Sequence, residues 1–194
     1  MISRLVLVRH GETEWSRTRR HTSWTDLALT EVGRAAAAEL SVRLAKWTFS
    51  AVLCSPRRRA RETAELALPH AALTIVDDLA EWNYGEYEGI TTADIHAQHD
   101  PLWDLWTHGS PGGESPLEVA VRTDRVIEQA HQHTGDVACF AHGHILRVLA
   151  ARWLGFGPEA GRSFALDTAS VSILGFEHER PVLRTWNVSD ANSR

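Results

Sequence analysis

The chain has 194 residues, of which 43% are hydrophobic and 23% charged, and its formal net charge at pH 7 is −5. This composition is typical of a globular protein, and the length allows about 70% of the unfolded surface to be buried. The negative net charge argues against general binding to nucleic acid. No apolar run approaches the roughly 20 residues that span a membrane, and the run after Arg4 is too short for the core of a signal peptide. We therefore expect a cytoplasmic protein that binds neither nucleic acid nor a membrane.

The first predicted strand, residues 5–8, is a short apolar run that leads directly into Arg9, His10 and Gly11. Ligands of open α/β sheets collect outside the carboxyl ends of the strands. Arg9 and His10 are therefore expected beside a ligand. A guanidinium group binds phosphate oxygens, and an imidazole beside it can attack phosphorus. Without further support, such a pair would more simply be two surface residues.

A second junction between a strand and a helix is predicted around Ser55. Residues 51–54 are typical of a buried strand, and Ser55 and Pro56 then have the pattern of a helix start, which predicts a helix over 56–68. The N-terminus of a helix directly after a strand attracts anions through its free N–H groups and its dipole. Most arginines between 57 and 61 are expected on a solvated face. The basic residues that would gather near this site are Arg17, Arg19, Arg20 and those from Arg57 to Arg61.

An irregular segment, residues 77–114, follows a predicted strand at 73–76. It opens with an acidic, aromatic loop at 79–89 and contains one predicted helix, from about 92 to 106. Long insertions of this kind in a compact domain are usually functional, so we expect the segment to border the active site. Three tryptophans of this segment are compatible with either a pocket wall or the core, namely Trp82, Trp103 and Trp106.

The rest of the chain alternates between predicted helices and strands. Helices are predicted at 31–47 after Thr30 as N-cap, at 116–133 and at 143–154, and strands at 137–141, 169–176 and 182–186, with a turn at 179–181. Such alternation predicts a mainly parallel sheet with helices on both faces. We therefore expect a three-layer α/β/α sandwich in a single domain, residues 1–188, and a frayed tail at 189–194. The strand at 137–141 again ends on a histidine and a glycine, His142 and Gly143.

The two cysteines, Cys54 and Cys139, lie in predicted buried strands. Free cysteine is a common small core residue, and disulfides are rare in cytosolic proteins. We therefore expect both thiols to be reduced.

Four motifs occur along the chain in the order found in one known family. They are Arg9-His10-Gly11, Ser55-Pro56 with Arg59-Ala60 and Thr63-Ala64, Glu81 with Gly85 and Glu88-Gly89, and His142-Gly143. Through them the chain resembles the histidine phosphatase superfamily, also called phosphoglycerate-mutase-like, from Leu5 to about Trp186. Its closest resemblance is to bacterial acid-phosphatase members. The resemblance implies the α/β/α fold and a phosphoric monoester hydrolase.

The resemblance also implies roles for five residues. His10 would become a phosphohistidine, Glu81 would protonate the leaving group, and Arg9, Arg59 and His142 would bind the phosphoryl group and supply positive charge. Further phosphate or substrate contacts implied by the motifs are Ser16, Thr22, Ser23 and Gly143, although Ser16 and Ser23 replace a frequent asparagine and a frequent glycine.

Two of these assignments need further reasoning. The spacing of the family motif selects Arg59 rather than its neighbour Arg58. A glutamate is an acid at working pH only if its pKa is raised, and burial beside Trp82 and Tyr84 would raise the pKa of Glu81.

No metal or cofactor is expected, because the imidazole nucleophile and the arginines suffice for the reaction. His144 lacks a nearby Asp or Cys partner, and the pair His131 and His133 lies at the end of a polar helix. Neither arrangement has the ligand set of a zinc site.

Three functions remain open from the sequence. The favoured one is a phosphomonoesterase that hydrolyses small phosphorylated metabolites through a phosphohistidine. The alternative is a cofactor-dependent phosphoglycerate mutase, which would carry cations where this chain has Thr92, Thr107 and His108. A catalytically idle phosphate-binding module is the weakest, because the chemical set is complete. A homodimer is one assembly compatible with the sequence.

Overall fold

The computed structural model describes residues 2–189, and a six-stranded sheet lies at its centre. The strands are β1 (Ile2–Arg9), β2 (Phe49–Cys54), β3 (Leu73–Ile75), β4 (Gly135–Ala141), β5 (Val171–Glu177) and β6 (Arg180–Val188). Their order across the sheet is β3-β2-β4-β1-β5-β6. Strands β1, β2, β3 and β4 pair in parallel, whereas β5 and β6 pair antiparallel at one edge. The prediction of a mainly parallel sheet is confirmed.

Helices cover both faces of this sheet. They are α1 (Glu14–Arg17), α2 (Glu31–Leu44), α3 (Arg58–Ala67), α4 (Thr92–Gln98), α5 (Leu105–His108), α6 (Pro116–His131) and α7 (Gly143–Trp153). Three short 3₁₀-helices complete the described residues at Asp77–Leu79, Gly85–Tyr87 and Pro158–Ser163. Within residues 2–189, no helix combines the length and the apolar character that crossing a membrane requires.

Alternate residues of the strands face two separate cores, because successive side chains of a strand point to opposite faces. Val6 and Val8 pack with α2 and α3, whereas Leu5 and Leu7 pack with α6 and α7. Apolar groups on both faces of the central strands give the predicted three-layer α/β/α arrangement. Burial of this kind supplies the main favourable contribution to folding.

The same alternation separates the two cysteines. Cys54 faces the core under α2 and α3, and Cys139 of the neighbouring strand faces the core under α6 and α7. Both are buried and free. The expectation of two unpaired thiols agrees with this geometry, since their side chains point to opposite faces of the sheet.

Helix α3 begins two residues later than predicted, and Ser55 does not cap it. The N-cap residue is Arg57, which makes no side-chain cap bond. Instead, the Asp26 carboxylate accepts a hydrogen bond of 2.7 Å from the N–H of Arg58. The Ser55 hydroxyl is bonded to His142, so it is used elsewhere in the structure.

The predicted helix at 92–106 is wrong, because the structure divides it into α4 and α5. Helix α4 ends at Gln98, and Pro101 disfavours helical backbone in the residue before it. The Asp104 side chain then caps α5 by accepting a bond from Trp106 N–H. The interruption allows Trp103 to point into the core.

The predicted turn at 179–181 is also shifted. His178 and Glu179 form the turn with positive φ angles of 45° and 68°, while Pro181 already lies in β6. A proline is tolerated there because β6 is an edge strand of the sheet. The remaining boundaries differ from prediction by a few residues, as helix ends commonly do. Of the predicted frayed tail, Ser189 is buried and residues 190–194 lie outside the described part of the chain.

Candidate active site

Two histidines emerge side by side at the carboxyl ends of neighbouring parallel strands. Arg9 of β1 is in register with Ala141 of β4, and the N–H of His10 donates to the Ala141 carbonyl over 3.0 Å. His142 follows Ala141 directly. The ring centroids of His10 and His142 are therefore only 5.1 Å apart. The pairing of β1 with β4 brings together the residues that the sequence predicted for phosphoryl transfer.

The hydrogen bonding of His10 fixes its tautomer. Its Nδ1 lies 2.7 Å from the Gly11 carbonyl oxygen, which can only accept, so Nδ1 carries the proton. The lone pair of a neutral His10 is then on Nε2. Burial lowers the pKa of His10 well below its usual value, and the charges of Arg59 and Arg9 lower it further. His10 is therefore a neutral imidazole with its nucleophilic nitrogen free.

His142 is neutral too, which corrects the expectation that it supplies positive charge. Its Nδ1 accepts a bond of 3.0 Å from Arg59 Nε, so the proton is on Nε2, which donates to Ser55 Oγ over 2.7 Å. Burial and the nearby charge of Arg59 hold the pKa of His142 well below its usual value. Both ring nitrogens are engaged within the protein, and the positive charge at the site comes from arginines.

Arg59 is fully buried, and its remaining donors bind backbone carbonyls. Its two terminal nitrogens donate to the carbonyl oxygens of Thr22, Ser23 and Thr25. Burial lowers the pKa of Arg59 from its usual value. The guanidinium thus joins helix α3 to the 22–25 loop and to His142.

Arg9 is placed differently, because one of its donors has no partner. One terminal nitrogen donates to the Leu166 carbonyl, whereas the buried Nε makes no hydrogen bond within residues 2–189. Burial lowers the pKa of Arg9. A buried donor without an acceptor is costly, and Arg9 also borders the cavity described below, so negative charge next to this guanidinium would be stabilised.

Glu81 lies at the N-terminus of helix α7 and caps it. One carboxylate oxygen accepts bonds from the N–H groups of Trp82 and Ile145, and the other accepts from the N–H of His144 over 3.0 Å. The carboxyl group is 6% exposed and borders the cavity described below. The expected burial near Trp82 is therefore found, together with backbone donors that the sequence did not predict.

A buried ion pair that the sequence analysis missed holds the loop carrying Glu81. Arg122 of α6 forms a two-pronged pair with Glu114 at 2.7 and 2.9 Å. Arg122 also donates to the carbonyls of Asp78 and Ala80, and Glu114 accepts from the N–H of Asn83. The loop is thus fixed on both sides of Glu81. Arg122 lies on an ordinary amphipathic helix, and no local motif marks it.

A cavity of about 700 Å³ opens beside these groups. Of the predicted site residues, those on its wall are Arg9, His10, Ser16, Thr22, Glu81 and Gly143. Arg59 and His142 lie directly behind this wall rather than on it. Ser23 is also off the wall, because its hydroxyl donates to the Glu81 carbonyl and its side chain is buried. The predicted contact of Ser23 with substrate is therefore not what the structure provides.

Other wall residues come from six separate parts of the chain. They are Arg19, Arg20, His21, Ala36, Glu39, Tyr84, Thr92, His144, Arg147, Leu166, Asp167, Thr168, Ala169 and Ser189. Residues 166–169 carry no recognisable motif, so the sequence did not indicate them. Arg147 lies about one helical turn after His144. This spacing indicates that both side chains lie on the same face of helix α7, so the sequence offered a signal for Arg147.

The three tryptophans of the 77–114 segment lie behind the cavity and not on its wall. Trp82, Trp103 and Trp106 belong to the core under α6 and α7. The aromatic part of the wall is instead Tyr84, whose hydroxyl lies 2.6 Å from Nδ1 of His144. Of the two possibilities left open by the sequence, the core is the one found.

The histidines considered for a metal site are separated in the structure. The ring of His131 stacks on Trp153, with centroids 5.4 Å apart, whereas His144 is beside Tyr84. Within the described residues, no three acidic, histidine or cysteine side chains are close enough to share a metal ion.

Comparisons with known proteins point to one family. The family model of the histidine phosphatase superfamily, branch 1, matches residues 5–189. An acid phosphatase of Mycobacterium tuberculosis is 43% identical over 182 residues, which are 90% of this chain and 87% of that protein. A sedoheptulose 1,7-bisphosphatase of Saccharomyces cerevisiae is 34% identical over 79% of this chain and 68% of its own. The solved structure of an open reading frame from Mycobacterium tuberculosis has a TM-score of 0.89 and 40% identity, covering 96% of this chain and 98% of that one.

The partly buried His21 predicts a loss of stability in mild acid. Burial lowers the pKa of His21 from 6.5 to about 4. Between these values the unfolded chain binds a proton that the folded chain does not, so the free energy of unfolding falls as the pH falls. His21 contributes up to about 1.4 kcal/mol per pH unit in this range. We expect His21→Gln to reduce the slope of unfolding free energy against pH, measured by urea denaturation between pH 6.5 and 5.

The matched control is His70→Gln, at an exposed position. It should leave the slope as it is in the native protein. Equal slopes for native protein and His21→Gln would contradict the prediction.

Proposed function

Because the chain belongs to branch 1 of the histidine phosphatase superfamily, we propose that it hydrolyses small phosphomonoesters through a phosphohistidine on Nε2 of His10. The observation that carries this proposal is the neutral His10 imidazole at the cavity wall, with Nδ1–H bonded to Gly11 and with Arg9 on the same wall. These groups supply a nucleophile and an oxyanion contact for one phosphoryl group. The resemblance to an acid phosphatase supports the same reaction.

In the first half of the reaction, the Nε2 lone pair of His10 attacks phosphorus and the ester P–O bond breaks. Arg9 donates to a phosphoryl oxygen, and the buried charge of Arg59 stabilises the negative charge of the transition state. The departing alkoxide takes a proton from the Glu81 carboxyl group. The products of this step are the free alcohol and phosphohistidine.

In the second half, water attacks the phosphohistidine. The Glu81 carboxylate, now without its proton, accepts one from this water, and the bond between Nε2 and phosphorus breaks. Inorganic phosphate leaves, and His10 and Glu81 return to their starting states. Two N–H bonds hold one oxygen of Glu81, and one N–H bond holds the other oxygen. This support keeps the carboxyl group facing the cavity in both steps.

Other wall residues would bind the substrate around this centre. Ser16, Thr22 and Gly143 are proposed contacts, since all three border the cavity. Ser23 would act indirectly, through its carbonyl bond to Arg59. We propose that residues 1–188 form one catalytic domain, with the 77–114 segment supplying Glu81. A cytoplasmic location and a homodimer stay predictions, as does the lack of nucleic-acid and membrane partners.

His10→Ala is expected to remove almost all activity, because it deletes the nucleophile. Rapid acid–base quench of the native enzyme with a ³²P-labelled monoester should trap an acid-labile, base-stable phosphoprotein. The same quench of His10→Ala should trap none. His70→Ala serves as the matched control and should turn over normally. Full turnover by His10→Ala would contradict the assignment.

We also expect activity to persist in EDTA, because an imidazole is the nucleophile and arginines carry the countercharge.

Glu81→Gln tests the proton donor through the leaving group. An alkyl alkoxide needs a proton to depart, whereas p-nitrophenolate leaves without one. We therefore expect kcat for an alkyl or sugar phosphate to fall at least about tenfold more than kcat for p-nitrophenyl phosphate. Glu86→Gln, at an exposed glutamate of the same loop, is the control and should change neither. An equal loss with both substrates would show that Glu81 is not the acid.

The alternative mutase must keep water away from the phosphohistidine. His10 instead borders a cavity that also reaches the exposed residues Arg20 and Glu39, which gives water a route to the phosphorus. Thr92 supplies a neutral group on the wall, and Thr107 and His108 do not reach the wall. These features favour hydrolysis over transfer to a second hydroxyl.

An idle module is disfavoured because the His10 nucleophile is free.

We expect phosphate release from 3-phosphoglycerate to exceed isomerisation by at least about tenfold, with 2,3-bisphosphoglycerate present to prime the enzyme. The two products are measured side by side, as free phosphate and as 2-phosphoglycerate. The opposite ratio would identify a mutase.

A further inference from the structure

The cavity contains a fixed arginine that the hydrolysis of one phosphoryl group does not use. Arg147 borders the cavity, and its guanidinium Cζ lies 4.5 Å from the centre of the Trp106 ring. Its Nε and one terminal nitrogen donate to the carbonyls of Gly161 and Arg162, each over 3.0 Å. The stacking and the two bonds hold the guanidinium in one position. Its other terminal nitrogen makes no hydrogen bond within residues 2–189.

Arg147 also lacks a carboxylate partner, since no ion pair within residues 2–189 includes it. Burial lowers the pKa of Arg147, and the neighbouring charge of Arg9 lowers it further while Glu81 opposes them. A partly desolvated cation with an open donor is the arrangement that binds an anion.

The charges around the cavity exceed what one phosphoryl group would neutralise. Buried or partly buried cations are Arg9, Arg59 and Arg147. The acids on the wall are the buried Glu81 and two exposed residues, Glu39 and Asp167. A phosphoryl dianion next to His10 would offset the charges of Arg9 and Arg59. When Glu81 carries its proton, as the proposed first step requires, the charge of Arg147 remains for a different group of the ligand.

Two exposed arginines extend this positive region to the rim. Arg19 and Arg20 follow helix α1 and border the same cavity. Neither side chain makes a hydrogen bond or an ion pair within the described residues, although Arg20 is near enough to Asp94 to lower the pKa of that carboxyl group. Beyond the reacting centre the wall carries these three arginines and two exposed acids, Glu39 and Asp167, so the cations exceed the acids. Because a phosphate dianion can accept bonds from more than one guanidinium group, this excess favours it over a single carboxylate.

We propose that Arg147, with Arg19 and Arg20, forms a subsite for a second phosphate, so that the preferred substrates are bisphosphorylated polyols. This inference rests on the proposed function, in which the first phosphate is the one cleaved at His10. Arg147 is the specificity-determining residue of the subsite. Arg19 and Arg20 attract the dianion at the rim.

The test compares sugar phosphates that differ in the second phosphate. The native enzyme is assayed with fructose 1,6-bisphosphate, fructose 1-phosphate and fructose 6-phosphate. We expect kcat/KM for the bisphosphate to be at least about tenfold above that for the better monophosphate, which is about 1.4 kcal/mol. A difference within about twofold, the statistical factor for two cleavable groups, would overturn the proposal. A higher kcat/KM for 3-phosphoglycerate than for the bisphosphate would overturn the choice of phosphate over carboxylate.

Variants assign the preference to its residues. Arg147→Gln should lower the bisphosphate-to-monophosphate ratio by about tenfold, and Arg147→Lys should lower it less, because lysine keeps the charge but not the planar fork. Arg180→Gln, at the far end of β6 from Ser189, is the control and should leave the ratio unchanged. Arg147→Gln could lower the melting temperature strongly. In that case the bisphosphate-to-monophosphate ratio is measured with the double variant Arg19→Gln, Arg20→Gln, whose substitutions are at exposed positions and which should also lower the ratio. A ratio unchanged in both tests would overturn the proposal.

A binding measurement separates this proposal from the proposed function. Calorimetric titration of His10→Ala, which cannot turn over, should show fructose 1,6-bisphosphate binding at least about tenfold more tightly than fructose 6-phosphate. Activity on p-nitrophenyl phosphate without this preference would overturn the subsite and leave the proposed function. The preference without any phosphatase activity would overturn the proposed function and leave the subsite.

Discussion

The parallel pairing of β1 with β4 determines where the reacting groups of this protein can lie. Because the strands are in register at Arg9 and Ala141, the residues after them emerge at the same edge of the sheet. Strand β2 pairs with β4 in the same direction and brings Ser55 to that edge. The two imidazoles and the hydroxyl that orients one of them are thereby placed by backbone hydrogen bonds. A site built on strand ends needs little adjustment by loops.

The site concentrates positive charge on side chains that are largely buried in the protein. Transferring a cation from water into a protein interior costs several kcal/mol, and a nearby carboxylate usually offsets this cost. Arg59 is instead satisfied by carbonyl oxygens and by His142, and Arg9 keeps one donor open. The electrostatic strain is relieved when an anion binds, which couples the stability of the site to its ligand. The same charges keep His10 unprotonated and hence nucleophilic.

Glu81 connects the acid–base chemistry to the packing of the fold. Its carboxylate takes the place of a side-chain cap on helix α7, whose N-cap residue, His142, provides none. Arg122 and Glu114 fix the loop on either side of it. Replacing Glu81 would therefore remove the proposed proton donor and also weaken the cap of the helix that begins at this edge of the sheet. Glu81 has to face the cavity and also to cap helix α7. Both requirements fix the position of its loop, which the bonds of Arg122 and Glu114 hold in place.

The sequence by itself determined the layers and the strand ends, and it identified the groups that we propose for the reaction. Apolar runs of strand length that end on Arg9, His10 and His142 carry this information locally, because each motif is continuous in the chain. The sequence did not determine which nitrogen of His10 is free or that His142 is neutral. The neutral state of His142 depends on Ser55 and Arg59, which lie more than 80 residues away in the chain. The free nitrogen of His10 depends on the backbone conformation that turns Nδ1 toward the carbonyl of the adjacent Gly11.

Tertiary structure alone decided the far side of the cavity. Arg147 belongs to an ordinary amphipathic helix, and residues 166–169 have no motif, so only packing against Trp106 and the strand ends brings them to the wall. The predicted cap at Ser55 and the predicted contact of Ser23 were changed for the same reason. Their hydroxyl groups have partners in space, His142 and the Glu81 carbonyl, that no local spacing reveals. Local pattern specifies which groups are available, and the close packing of distant segments decides what each group binds.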